Sequence, residues 1–225
     1  MWQKVSPLLL RIGFIKNWSS LWFANRQDYA KFIAEDAKIR TYLKEKFRQA
    51  SISKIVIERV GVARVKIYTA RPGVIIGRHG ADIDRLKADL GKLINKELII
   101  DIIEVKNPAL DAQIVAQNIA FQLEKRVAYR RAIKRSIEQA MSAGAKGIKI
   151  SCGGRLAGAE ISRTEKYKEG KIPLQTLRAD IDYGFAEALT TYGLIGIKTW
   201  IYKGDVIDKK RATLGSSGPE AVKSN

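Results

Sequence analysis

The run Val74-Ile75-Ile76-Gly77-Arg78-His79-Gly80 sets two glycines three positions apart, with a cation and the only histidine of the chain between them. Lacking Cβ atoms, Gly77 and Gly80 let their backbone come close to a sugar-phosphate chain. Arg78 adds charge, and the free N–H groups at the start of the helix expected after Gly80 favour an anion. The pattern reads as a clamp on a nucleic-acid backbone. It is not a nucleotide-hydrolysing phosphate loop, because the Gly-Lys-Ser/Thr ending of such loops is missing.

A second group of residues points the same way. The spacing predicts a helix near Tyr129–Ala143, and at 3.6 residues per turn Arg130, Arg131, Lys134 and Arg135 fall within about 140° of arc. Ile133, Ile137 and Ala140 lie opposite them, and Glu138 alone dilutes the cations. Solvated helix faces normally mix signs, so four cations here call for an anionic partner such as a phosphate backbone.

Catalytic chemistry has a weaker case. Asp180 and Asp182 alternate on one expected strand, and Glu160, Glu165 and Glu187 are within reach as further carboxylates. Such a cluster holds Mg²⁺ in some nucleases, but salt bridges to the abundant Lys and Arg explain these residues more simply. One cysteine, Cys152, and one histidine far from it supply neither a zinc site nor a Cys/His nucleophile. We therefore assign no catalytic residue, metal, cofactor or small-molecule substrate. Cys152 reads as a small packed strand residue, and a single cysteine fits a reducing cytoplasm.

The bulk charge agrees with an RNA-binding role. The chain carries 41 Lys and Arg against 23 Asp and Glu, a formal charge of +18. Such an excess repels itself unless a polyanion neutralises it. The excess is spread, with about +2 before Ala37, about +8 in 38–106 and about +8 in 107–225, so no single basic tail accounts for it. Hydrophobic residues at 46% exclude wholesale disorder. No stretch approaches the roughly 20 apolar residues of a membrane span.

These residues need elements to hold them. Residues 1–37 read as an arm, with Trp2, Trp18, Trp22 and Phe23 among cations and a helical pattern only from about Asp28. Aromatics so placed can stack on bases, but Trp22 and Phe23 are expected to pack the arm onto the body. In 38–106 the order is helix (38–50), strand (53–60), strand (64–69), short helix, helix and strand (98–105). Val65, Ile67 and Thr69 face one side of their strand, and Arg64, Lys66 and Tyr68 the other. Ile83, Leu86, Leu90 and Leu93–Ile94 form the apolar stripe of the longer helix. That element order around the glycine loop resembles a type II KH domain. Asn107 is expected to cap the next helix with Pro108 at its first position. Strands follow near 148–156, 163–167, 176–185 and 194–203, and the tail 208–225 reads as flexible. The fold class is α+β. An arm precedes a type II KH domain, with a three-stranded sheet and helices on one side, and a C-terminal domain (107–207) follows, with two helices on a mostly antiparallel sheet.

Several ordered motifs carry a wider resemblance. They are Gln3-Lys4-Val5 with Pro7 and Arg11-Ile12-Gly13, Ala70-Arg71-Pro72-Gly73, and Gly154-Arg155-Leu156 running into Gly158-Ala159-Glu160. Arg163-Thr164-Glu165 and Leu177-Arg178-Ala179-Asp180-Ile181-Asp182-Tyr183 complete the set. Over nearly the whole chain to about Gly204, the sequence resembles the family of bacterial small-subunit ribosomal protein three. The resemblance implies binding to small-subunit ribosomal RNA in the subunit head, beside the tenth and fourteenth small-subunit proteins. It also implies contact with messenger RNA where the message enters, gripped and opened by a basic helix face whose family positions fall on Arg130, Arg131 and Lys134. Lys4, Arg11, Arg71, Arg155, Arg163 and Arg178 are further candidate RNA contacts. The chain departs from the family at Trp2, Leu9 and Ala157, each at a usual glycine position, and altered local geometry is expected there. A free-standing KH regulator of messenger RNA is the alternative from another class.

Overall fold

In the computed structural model, residues 5–77, 80–94 and 98–206 are described. Trp2, Lys4, Arg78, His79 and the tail 208–225 lie outside them, so the expectations placed on those residues are not addressed by the geometry below.

Two sheets organise the chain. In the first, β2 (Ile52–Val60) and β3 (Val62–Thr69) form an antiparallel hairpin, and β4 (Leu98–Glu104) pairs parallel to β3. Between β3 and β4 lie the short helix α3 (Pro72–Ile76) and α4 (Ala81–Ile94). The alternation in β3 behaves as its side-chain types demand. Ala63, Val65, Ile67 and Thr69 are buried, while Lys66 pairs with Glu58 at 2.6 Å and Lys54 lies over the Tyr68 ring at 4.4 Å. Leu86, Leu90 and Ile94 of α4 join Ile39, Leu43, Ile55 and Ile57 in one apolar core. Leu93, expected in that stripe, is instead 43% exposed, because it sits a full 100° round the helix from Ile94.

The arm is more structured than its sequence suggested. It holds the helix α1 (Pro7–Arg11) and a two-residue strand β1 (Ser20–Leu21), which pairs parallel with β2 and extends the three expected strands to four. Helix α2 (Arg26–Lys46) starts before Asp28, crosses position 38 without a break and ends before the 3₁₀ turn Arg48–Ala50. Its register is held by a buried ion pair, Arg59 to Asp36 at 2.6 Å, with Glu35 at 2.6 Å on the same guanidinium. Asp36 also accepts from Ser20 Oγ and Trp22 Nε1, both at 2.9 Å. Trp22 packs edge-on against Tyr29 and Phe32. Phe23, expected to pack similarly, is 91% exposed. One residue on from Trp22 in extended chain, it points to the opposite side.

The second sheet has the order β6-β5-β8-β7 and is antiparallel throughout, built from β5 (Gly147–Gly154), β6 (Arg163–Gly170), β7 (Ala179–Thr190) and β8 (Gly193–Asp205). The observed β7 lies about three to five residues later than its expected span, and β6 runs on to Gly170. Helices α5 (Ala112–Glu124) and α6 (Tyr129–Ser142) contribute Ile119, Leu123, Ile133, Ile137 and Ala140 to the core over this sheet. Cys152 is fully buried in β5, and burial pushes its thiol up to about 12, so it stays a protonated packing group.

The start of α5 corrects one expectation. Asn107 and Pro108 open only a 3₁₀ turn, and Asp111 caps α5 by accepting from the backbone of Gln113 at 3.0 Å and Ile114 at 3.1 Å. Asp111 also accepts from Ser53, which ties α5 to β2. Gln117 Nε2 donates to Ile52 O at 3.1 Å, and Arg48 pairs with Glu124, so the same helix joins both units.

Burial raises the Asp111 carboxyl above its ordinary value, and the neighbouring Asp182 charge raises it further. The folded chain therefore binds that proton more tightly than the unfolded chain. The cost of the charge is present at neutral pH and relieved as pH falls through the raised value. Asp111→Ala should destabilise the protein by about 1–2 kcal/mol through loss of the cap. Asp111→Asn, which caps without the charge, should match or exceed the parent at pH 7. Urea unfolding of both variants at pH 5 and pH 7 checks this.

Candidate nucleic-acid interface

Helix α6 is held from one side only. Tyr129, Ala132, Ile133, Ser136, Ile137 and Ala140 are buried, while Arg130, Arg131, Lys134 and Arg135 are exposed. The predicted division of faces is thus the observed one. Among the described residues, no acidic side chain pairs with Arg131, Lys134 or Arg135. Arg130 is different: its Nε donates to Tyr129 Oη at 3.1 Å, and its Nη2 is 3.9 Å from Glu165.

Glu165 organises that end of the helix. It accepts from Tyr129 Oη at 2.8 Å and Tyr167 Oη at 2.9 Å, and Arg163 Nε lies 3.5 Å away. The hydrogen bonds from the two tyrosines, with the charges of Arg130 and Arg163, hold its carboxyl below the usual range. The carboxylate thus stays ionised and fixes Arg130 and Arg163 at the root of α6. The sequence marks Glu165 only as a further carboxylate beside Asp180 and Asp182 and as part of the Arg163-Thr164-Glu165 motif, and nothing in its spacing reveals this role.

The other expected contacts divide. Arg71 is exposed at the head of α3, and Arg163 and Arg178 are exposed, Arg178 with Asp205 at 3.3 Å. Arg155 is half-buried, with Nε donating to Ala159 O at 2.9 Å. Arg11 must be struck from the set. It is fully buried, and its guanidinium donates to the carbonyls of Ala179 (2.6 Å), Pro7 (2.9 Å), Leu174 (3.0 Å), Thr176 (2.9 Å) and Pro173 (3.3 Å). Five carbonyls converging on one buried group call for a multidentate donor that cannot lose its charge, and arginine is that donor. Lys16 reinforces the docking, 2.8 Å from Asp180. Asp182 lies 3.6 Å from Lys203 and accepts from the Ala112 backbone at 3.2 Å. The two carboxylates weighed as a magnesium site are thus engaged in holding the fold.

At the glycine loop, Gly77 follows α3 with φ 70° and ψ −170°, a conformation open to glycine. A Cβ there would lie 1.9 Å from Asp82 Oδ2, so the side chain of α4's first turn packs directly over the glycine. Gly80, with φ 78°, faces open space. Asp82 and Asp84 occupy the first turn of α4, which reduces the pull of that helix start on an anion.

Two of the three departures from the resembled family, Leu9 and Ala157, lie among the described residues. Leu9 lies within α1, 63% exposed, at a helical position that makes no demand for glycine. Ala157, at φ 55° and ψ 28°, holds the left-handed conformation that glycine adopts freely, so the alanine occupies a backbone position suited to glycine.

Two family models match the chain: a KH domain over residues 38–110 and the C-terminal domain of ribosomal protein S3 over residues 119–201. Curated relatives match along nearly the full length. The small ribosomal subunit protein uS3 of Desulforamulus reducens is 55% identical over 221 residues, covering 98% of this chain and all of that protein. The uS3 of Carboxydothermus hydrogenoformans is 55% identical over 222 residues with the same coverage. That of Lawsonia intracellularis is 57% identical over 211 residues, covering 93% of this chain and 99% of the relative.

Left-handed alanine is strained, and its side chain at 157 is exposed. Ala157→Gly should therefore raise unfolding stability by about 1 kcal/mol, measured by urea denaturation. A loss of stability would show that the methyl group makes a contact worth more than the strain.

Proposed function

The chain belongs to the family of the small ribosomal subunit protein uS3, and from that premise we propose that α6 grips messenger RNA as it enters the small subunit. The coarser role follows from membership itself. The protein is a structural constituent of the small ribosomal subunit, not an enzyme, and its KH domain makes it an RNA-binding component. No helix among the described residues is long and apolar enough to cross a membrane.

The finer reading places the protein in the head of the subunit, on ribosomal RNA, beside the tenth and fourteenth small-subunit proteins. The 77–80 loop is its second RNA-facing surface. The arm (1–37) straps the KH unit (38–106) to the C-terminal unit (107–207), and the tail (208–225) follows. One observation carries the messenger assignment: Arg131, Lys134 and Arg135 project from a helix fixed by its buried face, with no carboxylate of the described chain to neutralise them. A rigid row of unpaired cations binds phosphates without reading bases. A surface that must pass any message needs that property. Pulling one strand onto such a row while the ribosome translocates would favour opening of a downstream duplex.

Replacing Arg130, Arg131 and Lys134 with Ala should slow translation through structured messages several-fold more than through unstructured ones of equal length. Reconstituted translation with purified small subunits carrying the variant checks this. Equal slowing of both messages would remove the unwinding role.

A further inference from the structure

Beside the root of α6 lies a cleft of about 820 Å³, bounded by the α5–α6 turn, the 3₁₀ turn Leu156–Gly158 and the tip of the β7–β8 hairpin. Its volume falls within the range of roughly 300–1,000 Å³ that small-molecule-sized groups occupy. Arg126, Arg130, Arg155 and Arg163 line it, against a single acid, Glu124, which Arg48 already pairs. Arg126 has no acidic partner among the described residues. Tyr192 supplies an aromatic wall. The residue is 54% exposed, yet its ring is backed so closely by Gly158 that a Cβ there would lie 3.1 Å from it. The Arg155 guanidinium stands 5.7 Å from the ring centroid.

The backbone around this cleft is strained at two points. Helix α5 ends in a Schellman turn, with Val127 N–H bonded to Gln122 O at 3.0 Å and Arg126 N–H to Leu123 O at 2.9 Å. Arg126 fills the left-handed position that glycine normally takes, at φ 61°, and Ala157 on the opposite wall has φ 55°. Three non-glycine residues of the described chain have positive φ, and two of them border this one cleft. Strained backbone positions cluster at ligand-binding sites, and among the described residues no hydrogen bond or ion pair engages the Arg126 guanidinium.

We propose that this cleft is a distinct RNA site that takes one unstacked nucleotide, its base against Tyr192 and its phosphate among Arg126, Arg130 and Arg155. The inference rests on the reading of α6 as an RNA surface, because Arg130 belongs to both the helix face and the cleft wall. A strand lying along α6 reaches the cleft at Arg130, and the aromatic wall then distinguishes single-stranded from paired RNA. Stacked and paired bases cannot present a face to Tyr192, whereas a free base can.

Fluorescence anisotropy with the full chain tests the site, using a single-stranded decauridylate and an RNA duplex of the same phosphate count as probes. Tyr192→Leu keeps apolar bulk against Gly158 and removes the stacking face. It should weaken the single strand roughly tenfold and leave the duplex within about twofold. Arg126→Gly should weaken the single strand roughly threefold to tenfold while raising the thermal midpoint, because it relieves strain and removes a cation together. A purely structural Arg126 would give the higher midpoint with unchanged affinity, and that result overturns the site even if Tyr192→Leu fails to fold. Equal loss on both probes in a folded Tyr192→Leu variant also overturns it. Arg131→Ala with Lys134→Ala separates this from the broader reading. If that pair weakens both probes while the cleft variants weaken neither, the cleft alone is excluded. If it weakens neither probe, the α6 reading falls as well.

Discussion

Forty-one basic side chains share twenty-three carboxylates in this chain, so the placement of the acids decides where the surface stays positive. Many of them are placed at joints. Asp36 and Glu35 hold Arg59 under α2, Asp180 holds Lys16, Glu124 holds Arg48 across the two units, and Asp182 lies beside Lys203. Each of these pairs connects separate elements of the fold and holds them in fixed relative positions. The outer face of α6 receives little of this neutralisation. Its positive charge is the remainder left after the fold has satisfied its own pairs, and helix packing on the opposite side keeps that remainder in place.

Arg11 shows the converse use of a cation. Buried, it binds five carbonyls and fastens the arm to the segment leading into β7, while Asp36 fastens the same arm to the first sheet through Ser20 and Trp22. A segment that looks like a loose basic arm is thereby a strap between two α+β units. Together with the Ser53–Asp111 and Gln117–Ile52 bonds, it makes the spacing of the glycine loop and α6 a property of the fold rather than of a linker.

What could be read from the residues followed from periodicity. The faces of α6 were legible because Ile133, Ile137 and Ala140 recur at helical spacing opposite the cations, and β3 was legible because cation and aliphatic alternate. The burial of Arg11 was not, since four of its five acceptors are carbonyls more than 160 residues away that leave no local mark. Nor was the αL conformation of Arg126 and Ala157, which contradicts propensity and is imposed by the helix end and the loop around them. The cap of α5 was misplaced at Asn107 because Asn-Pro is a strong local start signal, and the 3₁₀ turn that moves the true cap to Asp111 has no comparable one. The cleft at Tyr192 escaped for a further reason: its walls come from three separate segments, and none carries a motif alone.

The central claim is that RNA binding depends on unpaired cations displayed by α6, and the salt dependence of affinity tests it most directly. For a single-stranded RNA, the slope of log affinity against log salt falls by about 0.7 for each phosphate contact removed. Arg131→Ala, Lys134→Ala and Arg135→Ala combined should therefore reduce the slope by about 2 relative to the parent, with an unchanged thermal midpoint. A slope equal to that of the parent would contradict the account, since those three cations would then hold no phosphate.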